Sequence, residues 1–222
     1  LYKQKTADAE SPRDWGPHLC SPDLAALVVI GTAATLASGA ANALGTFLVD
    51  SAAARGLSPG LAGLTLTLGS AVCVAARVGA GWLADRRETG HVALIAAMLL
   101  VGAVGLGLLA LTGSVPLVVG VVLGFGLGWA WPGLMNFAVV RLHPQSPAAA
   151  TSITQTGVYA GGCLGPLSLG PLAAHLGYPA MWTVAAVSML LAAALMLVGS
   201  RLLTRAAAAA GRGVDQLVRS AM

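Results

Sequence analysis

The chain is 222 residues long, 57% hydrophobic and only 9% charged, with a mean hydropathy of +0.82. A soluble domain spends about a quarter of its residues on charge, so this balance excludes one and points to a chain that lives in a bilayer. The net charge of +4 needs no nucleic acid to explain it, because the basic residues fall mainly where anionic inner-leaflet lipids attract them. The apolar runs are continuous rather than alternating, which rules out a closed β-barrel and leaves an all-α polytopic membrane protein.

Residues 1–23 open with LYKQKTADAESPRDWG, polar and mixed in charge, unlike a signal or transit peptide. They read as a cytoplasmic linker or N-terminal tail. A first apolar run covers 24–49, and its Thr35, Ser38, Asn42 and Thr46 fall at i, i+3, i+7 and i+11, one narrow face of a helix. Asp50 closes it at the outer end as an exposed cap. The second run, 60–76, reaches the ~20 residues of a spanning helix only by continuing through Arg77 to Trp82. Its Ser70, Cys73, Arg77 and Gly81 repeat the same spacing.

Between the second and third runs, RVGAGWLADRRETG holds five charges: Arg77, Asp85, Arg86, Arg87 and Glu88. The third run, 92–112, has no polar side chain between its ends. The fourth, 115–140, carries Trp129, Trp131 and Asn136, with Trp129 and Asn136 on one face. The fifth, 147–173, carries Ser152, Gln155, Tyr159 and Cys163 along one face. The sixth, 179–200, is nearly featureless after Trp182 and Thr183. Residues 201–222 read as a plain cytoplasmic tail, Ala-rich with spaced Arg.

Six spans with a cytoplasmic N-terminus put Lys3, Lys5, Arg13, Arg77, Arg86, Arg87, Arg141, Arg201, Arg205, Arg212 and Arg219 inside, and only Arg55 outside. By the positive-inside rule both termini are then cytoplasmic, in a cell membrane. The polarity of the spans runs polar, polar, apolar, twice over. Lipid cannot satisfy a polar stripe, so the third and sixth spans are peripheral, and two matching triplets suggest two inverted three-helix repeats.

Gly120, Gly124 and Gly128, like Gly157, Gly161 and Gly165, recur every four residues. Without a preceding strand or a following Lys, they read as close helix packing rather than a nucleotide loop. Pro132, Pro166 and Pro171 interrupt helices beside glycines. Cys20, Cys73 and Cys163 fit no metal spacing, so neither metal nor cofactor is expected. Asn42, Trp129, Asn136, Gln155 and Tyr159 are candidates to line a substrate cavity, with interhelical hydrogen bonding the competing role. Arg77 suits an anionic substrate or, more readily, a pairing with Asp85. At the membrane surface Asp85 and Arg86 suit a latch that a tilt would break.

GWLADRR resembles a motif of the major facilitator superfamily, of the type G-x-x-x-D-R-x-G-R, which Gly81, Asp85 and Arg86 match. Glu88 stands at the expected Gly position, and the Gly appears late, at Gly90. QTGVYAGGCLGPLSLGPL, followed by Gly177 and Tyr178, resembles the Gly-rich eleventh helix of such carriers. The resemblance covers residues 24–200 and implies the C-terminal six-helix half of a twelve-helix secondary transporter. A small solute would move by alternating access, with Arg77, Gly81, Asp85 and Arg86 as a conformational latch. The resemblance also implies a partner N-terminal six-helix half, from the same gene or as a homodimer.

GWAWPGLMNFAVVRLHP with AAATSITQTGVYAGG is also similar to the branch that includes cyanate and nitroimidazole carriers, which implies a small polar or anionic solute. Two other readings compete with transport. One is a non-transporting scaffold or truncated gene product. The other is an intramembrane enzyme, for which paired His and HExxH patterns are missing from the sequence.

Overall fold

A computed structural model describes residues 21–86, 90–144 and 146–220, with side chains placed from 24 to 205. Nearly all of the linker expected over 1–23, and the loop residues Arg87 and Glu88, lie outside the described residues. Every described element is helical: α1 (Ser21–Ala54), α2 (Pro59–Arg86), α3 (His91–Leu109), α4 (Ser114–Gly126), α5 (Trp131–Leu142) and α6 (Pro147–Ser220). Five segments are long and apolar enough to cross a membrane, α4 and α5 together forming one of them, over Ser114–Leu142. The tail expected over 201–222 continues α6 as helix to Ser220.

A straight helix of 74 residues would measure about 110 Å at 1.5 Å per residue, far more than a hydrocarbon core of about 30 Å. α6 leaves helical dihedrals at Gly177, where φ is 83° and ψ is 166°. Only glycine reaches that region without steric cost, and Pro179 follows two residues on. The chain reverses there, as its neighbours along α1 show. On the outgoing arm, Gly157 meets Gly31, Gly165 meets Gly39 and Gly170 meets Phe47, so this arm runs parallel to α1. On the returning arm, Trp182 meets Ser51, Ser188 meets Leu36 and Gly199 meets Ile30, which is antiparallel.

The glycine series expected to pack closely do so. A Cβ on Gly161 would fall on the Thr35 carbonyl, well inside contact distance. On α3, a Cβ on Gly102 would lie 2.5 Å from Gly128 Cα, and one on Gly105 would lie 2.5 Å from the Gly124 nitrogen. In lipid, where apolar side chains gain little by meeting each other, such backbone approach supplies the dispersion contact that holds helices together. The core that results is small-residue rich along α1, with Leu27, Ile30, Leu44, Leu48, Trp131 and Trp182 filling it.

The expected helix interruptions resolve unequally. Pro166 and Pro171 lie inside α6, whose one non-helical residue is Gly177. Pro132 does mark a break, over residues 127–130 between α4 and α5. It stands in the first turn of α5, where its missing N–H forfeits no helical bond and its fixed φ suits a helix start. Just before it, the N–H groups of Leu127 and Gly128 both turn to the Leu123 carbonyl, at 3.1 and 3.2 Å.

Candidate functional site at the break between α4 and α5

Arg77, Gly81 and Asp85 are spaced at i, i+4 and i+8, so α2 presents them along one face. That face borders a cavity of about 370 Å³ whose opposite wall includes Pro132, Gly133 and Phe137 of α5. The break therefore opens on the same space as three of the four latch candidates.

Arg77 is exposed in this bundle, and its Nη2 donates to the Trp129 carbonyl at 3.4 Å, a long contact. It does not pair with Asp85. Eight residues, about 12 Å of helix rise, separate the two, whereas an interrupted stretch of backbone lies beside the guanidinium. Arg86 turns back over the Trp82 ring, 3.7 Å from its centroid, a cation–π contact. Among the described residues no cation stands within ion-pair distance of the exposed Asp85.

Trp129 stands beside this space rather than in its lining, half-buried, with its carbonyl toward Arg77. Its ring stacks on Phe125, with centroids 5.5 Å apart and planes inclined by 28°. A Cβ on Gly45 of α1 would lie 3.0 Å from it, a tight approach, so the glycine lets the indole pack close to α1. Trp129 and Arg77 are thus brought together by α1, α2 and α4.

The other cavity candidates lie elsewhere. Asn42 donates to its own helix at the Ser38 carbonyl, 2.8 Å away, while Ser38 Oγ donates across to the Val158 carbonyl at 2.7 Å. This polar pair stitches α1 to the outgoing arm of α6. Gln155 is half-buried on that arm, and Tyr159 is 72% exposed on it. Asn136 is half-buried, yet its Oδ1 is enclosed without a hydrogen-bond partner, as is Nε1 of the fully buried Trp131.

Arg55 has a role that no local pattern signals. From the α1–α2 connection its Nη1 donates to the Leu111 carbonyl at 2.9 Å and its Nη2 to that of Leu109, closing the C-terminal end of α3. A cation there complements the helix dipole. Burial lowers its pKa from the ordinary arginine value, yet a guanidinium stays protonated throughout the neutral range.

The family model of the Major Facilitator Superfamily matches residues 25–219. No curated protein matches the chain. Among solved structures, the chain is similar to a POT peptide transporter crystallised with alafosfalin, with a TM-score of 0.65 and 23% identity. The match covers 89% of this chain and 45% of that one, so the chain spans less than half the length of that transporter. At this identity the likeness shows the fold alone. Nothing in these matches supports the narrower likeness to cyanate and nitroimidazole carriers. With a family match along most of its length and a fold shared with a solved transporter, this integral, multi-pass membrane protein belongs to the major facilitator superfamily.

Proposed function

We propose that the chain is one six-helix half of a secondary carrier that moves a small solute by alternating access. The observation that carries this reading is the pairing of the helices. α1 lies parallel to the outgoing arm of α6, and α2 lies parallel to α4, with Gly69 against Phe125 and Val72 against Gly126. α3 lies antiparallel to α4, as the returning arm of α6 does to α1. A pseudo-two-fold axis that exchanges the first three spans with the last three converts each of these pairs into the other. That relation is what two inverted three-helix repeats produce.

Such a half needs a partner. α2 leaves Leu61, Leu64, Val74, Val78 and Trp82 exposed, and the outgoing arm leaves Tyr159, Leu164 and Leu167 exposed. The Tyr159 hydroxyl needs protein or water, not lipid. A second six-helix bundle, from the same gene or as a second copy, covers these faces and encloses the solute. Asn42, Trp129, Gln155 and Tyr159 face the shared cavity, with the enclosed Asn136 inside the bundle, and both termini are cytoplasmic in a cell membrane.

Gly81, Asp85 and Arg86 form the latch at the cytoplasmic end of α2. Asp85 has its partner in one conformational state, and rocking of the bundles breaks that contact. An intramembrane enzyme is disfavoured, since among the described residues no Ser or Thr hydroxyl lies at hydrogen-bond distance from a His or a carboxylate, and His91 and His143 meet backbone carbonyls. A non-transporting scaffold is the remaining competitor.

Uptake of a panel of labelled small solutes into proteoliposomes separates these readings. The full-length carrier accumulates at least one solute, and residues 1–222 alone, as a demonstrated monomer, accumulate none. Asp85→Asn inserts normally but changes uptake by about tenfold, the scale of one lost charge-assisted contact. Unchanged uptake in that variant sinks the latch, and robust uptake by the monomer refutes the need for a partner.

A further inference from the structure

We infer that the cavity between α2 and α5 is a subsite for an anionic group of the transported solute, held by Arg77 and the N-terminus of α5. This rests on the carrier reading above and names the chemical class of its solute.

Arg77 lies nine residues, or about 13 Å of helix rise, from Arg86 at the end of α2, so its charge sits within the span rather than at its surface. An arginine at that depth is retained only when it faces a water-filled cavity or a partner. Among the described residues its one hydrogen bond is the 3.4 Å contact to Trp129, a neutral carbonyl that leaves its charge uncompensated. An anion supplies what that contact does not.

The opposite wall suits the same ligand. α5 begins at Trp131 in the middle of the fourth span, with Pro132 in its first turn, and no side chain caps its start. The open N–H groups of a helix start carry partial positive charge, and a break in a membrane helix brings that charge to the depth of the solute. Pro132 and Gly133 line the cavity across from Arg77. A full charge and a helix terminus, from different elements, thus face one space.

Asp85 also lines this space, but about 12 Å along α2 toward the helix end, so it drives an anion toward Arg77 rather than competing with it. A volume of about 370 Å³ limits the occupant to a small solute. Arg86, at the end of α2, is the arginine placed to meet a lipid headgroup, and Arg77 lies about 13 Å of helix rise from it, which favours a transported solute over an anionic lipid.

The adjacent indole of Trp129 offers a direct readout. On the purified full-length carrier, quenching by iodide and by neutral acrylamide is compared between wild type and Trp129→Phe, and the difference isolates Trp129. Iodide quenching of Trp129 should fall about threefold in Arg77→Gln and persist in Arg77→Lys, with acrylamide quenching unchanged in both, as expected for a locally concentrated anion. Gly133→Leu covers the case in which Arg77→Gln fails to fold. A Cβ at Gly133 meets nothing within 4 Å, so the side chain enters the cavity and should lower iodide quenching with Arg77 intact.

Iodide quenching that is unchanged in a folded Arg77→Gln or in Gly133→Leu overturns the subsite, as does a Trp129 shielded from both quenchers. The measurement needs no transport. Intact uptake with no Arg77-dependent quenching therefore refutes the subsite alone, whereas Arg77-dependent quenching without uptake refutes the carrier reading alone.

Discussion

At Gly161 the backbone of α6 comes so near Thr35 of α1 that a side chain can enter only if the helices part. Gly161→Val should destabilise the bundle by about 2 kcal/mol or more, the upper range for overpacking, because rigid backbone faces it. The shift in thermal unfolding in detergent, against the tolerated Gly133→Ala, checks this. Arg55→Ala leaves two carbonyls at the end of α3 without their donors and should cost about 1–3 kcal/mol. Because the guanidinium never titrates near neutrality, that loss should be the same at about pH 6 and pH 9. Trp131→Phe combines two opposed effects. It removes a buried N–H that has no acceptor among the described residues, which offsets part of the cavity left by the smaller ring. Its cost should stay below about 2 kcal/mol and be smaller than that of Trp182→Phe, whose indole N–H bonds Ser51.

Among the elements, the fourth span shows how far a sequence can be read. One apolar run over 115–140 is legible as a helix, and Pro132 marks where it yields. Pro166 and Pro171 carry the same local signal without interrupting α6. What separates them is tertiary. The outgoing arm is held along α1 by Gly157, Gly161 and Gly165, whereas Pro132 follows Gly124 and Gly128, where packing on α3 already draws the backbone aside. Pro132→Ala returns an N–H and a free φ at the start of α5, so it should let helix extend back across residues 127–130. Helix content and stability should hold or rise while uptake by the full-length carrier falls several-fold, as expected where a break serves the solute. Uptake equal to wild type would show that the break is only tolerated.

Across the whole molecule, composition announced an all-helical membrane bundle, because lipid acts on every span alike, and the twice-repeated polarity order is the sequence signal behind the proposed inverted repeats. The site was legible only in pieces. The spacing of Arg77, Gly81 and Asp85 placed them on one face, and the polar face of α1 singled out Asn42. The rest depends on residues far apart in the chain, such as Ser38 with Val158, 120 positions away, and Arg55 with Leu109, 54 positions away. No periodicity encodes those meetings. Arg77 was grouped with Asp85 because they share a helix face, but what claims it is the break between α4 and α5, which a single-helix view leaves out.

Side-specific labelling of single cysteines tests alternating access without knowledge of the solute. In the full-length carrier lacking Cys20, Cys73 and Cys163, Asn42→Cys and Tyr159→Cys are labelled with an impermeant maleimide in right-side-out and inside-out vesicles. Each cysteine should react from both sides, and Asp85→Asn should shift the ratio of outer to inner labelling by about fivefold, the population change that about 1 kcal/mol imposes on a two-state carrier. Labelling from one side only, at a ratio indifferent to Asp85, would contradict both the shared cavity and the latch.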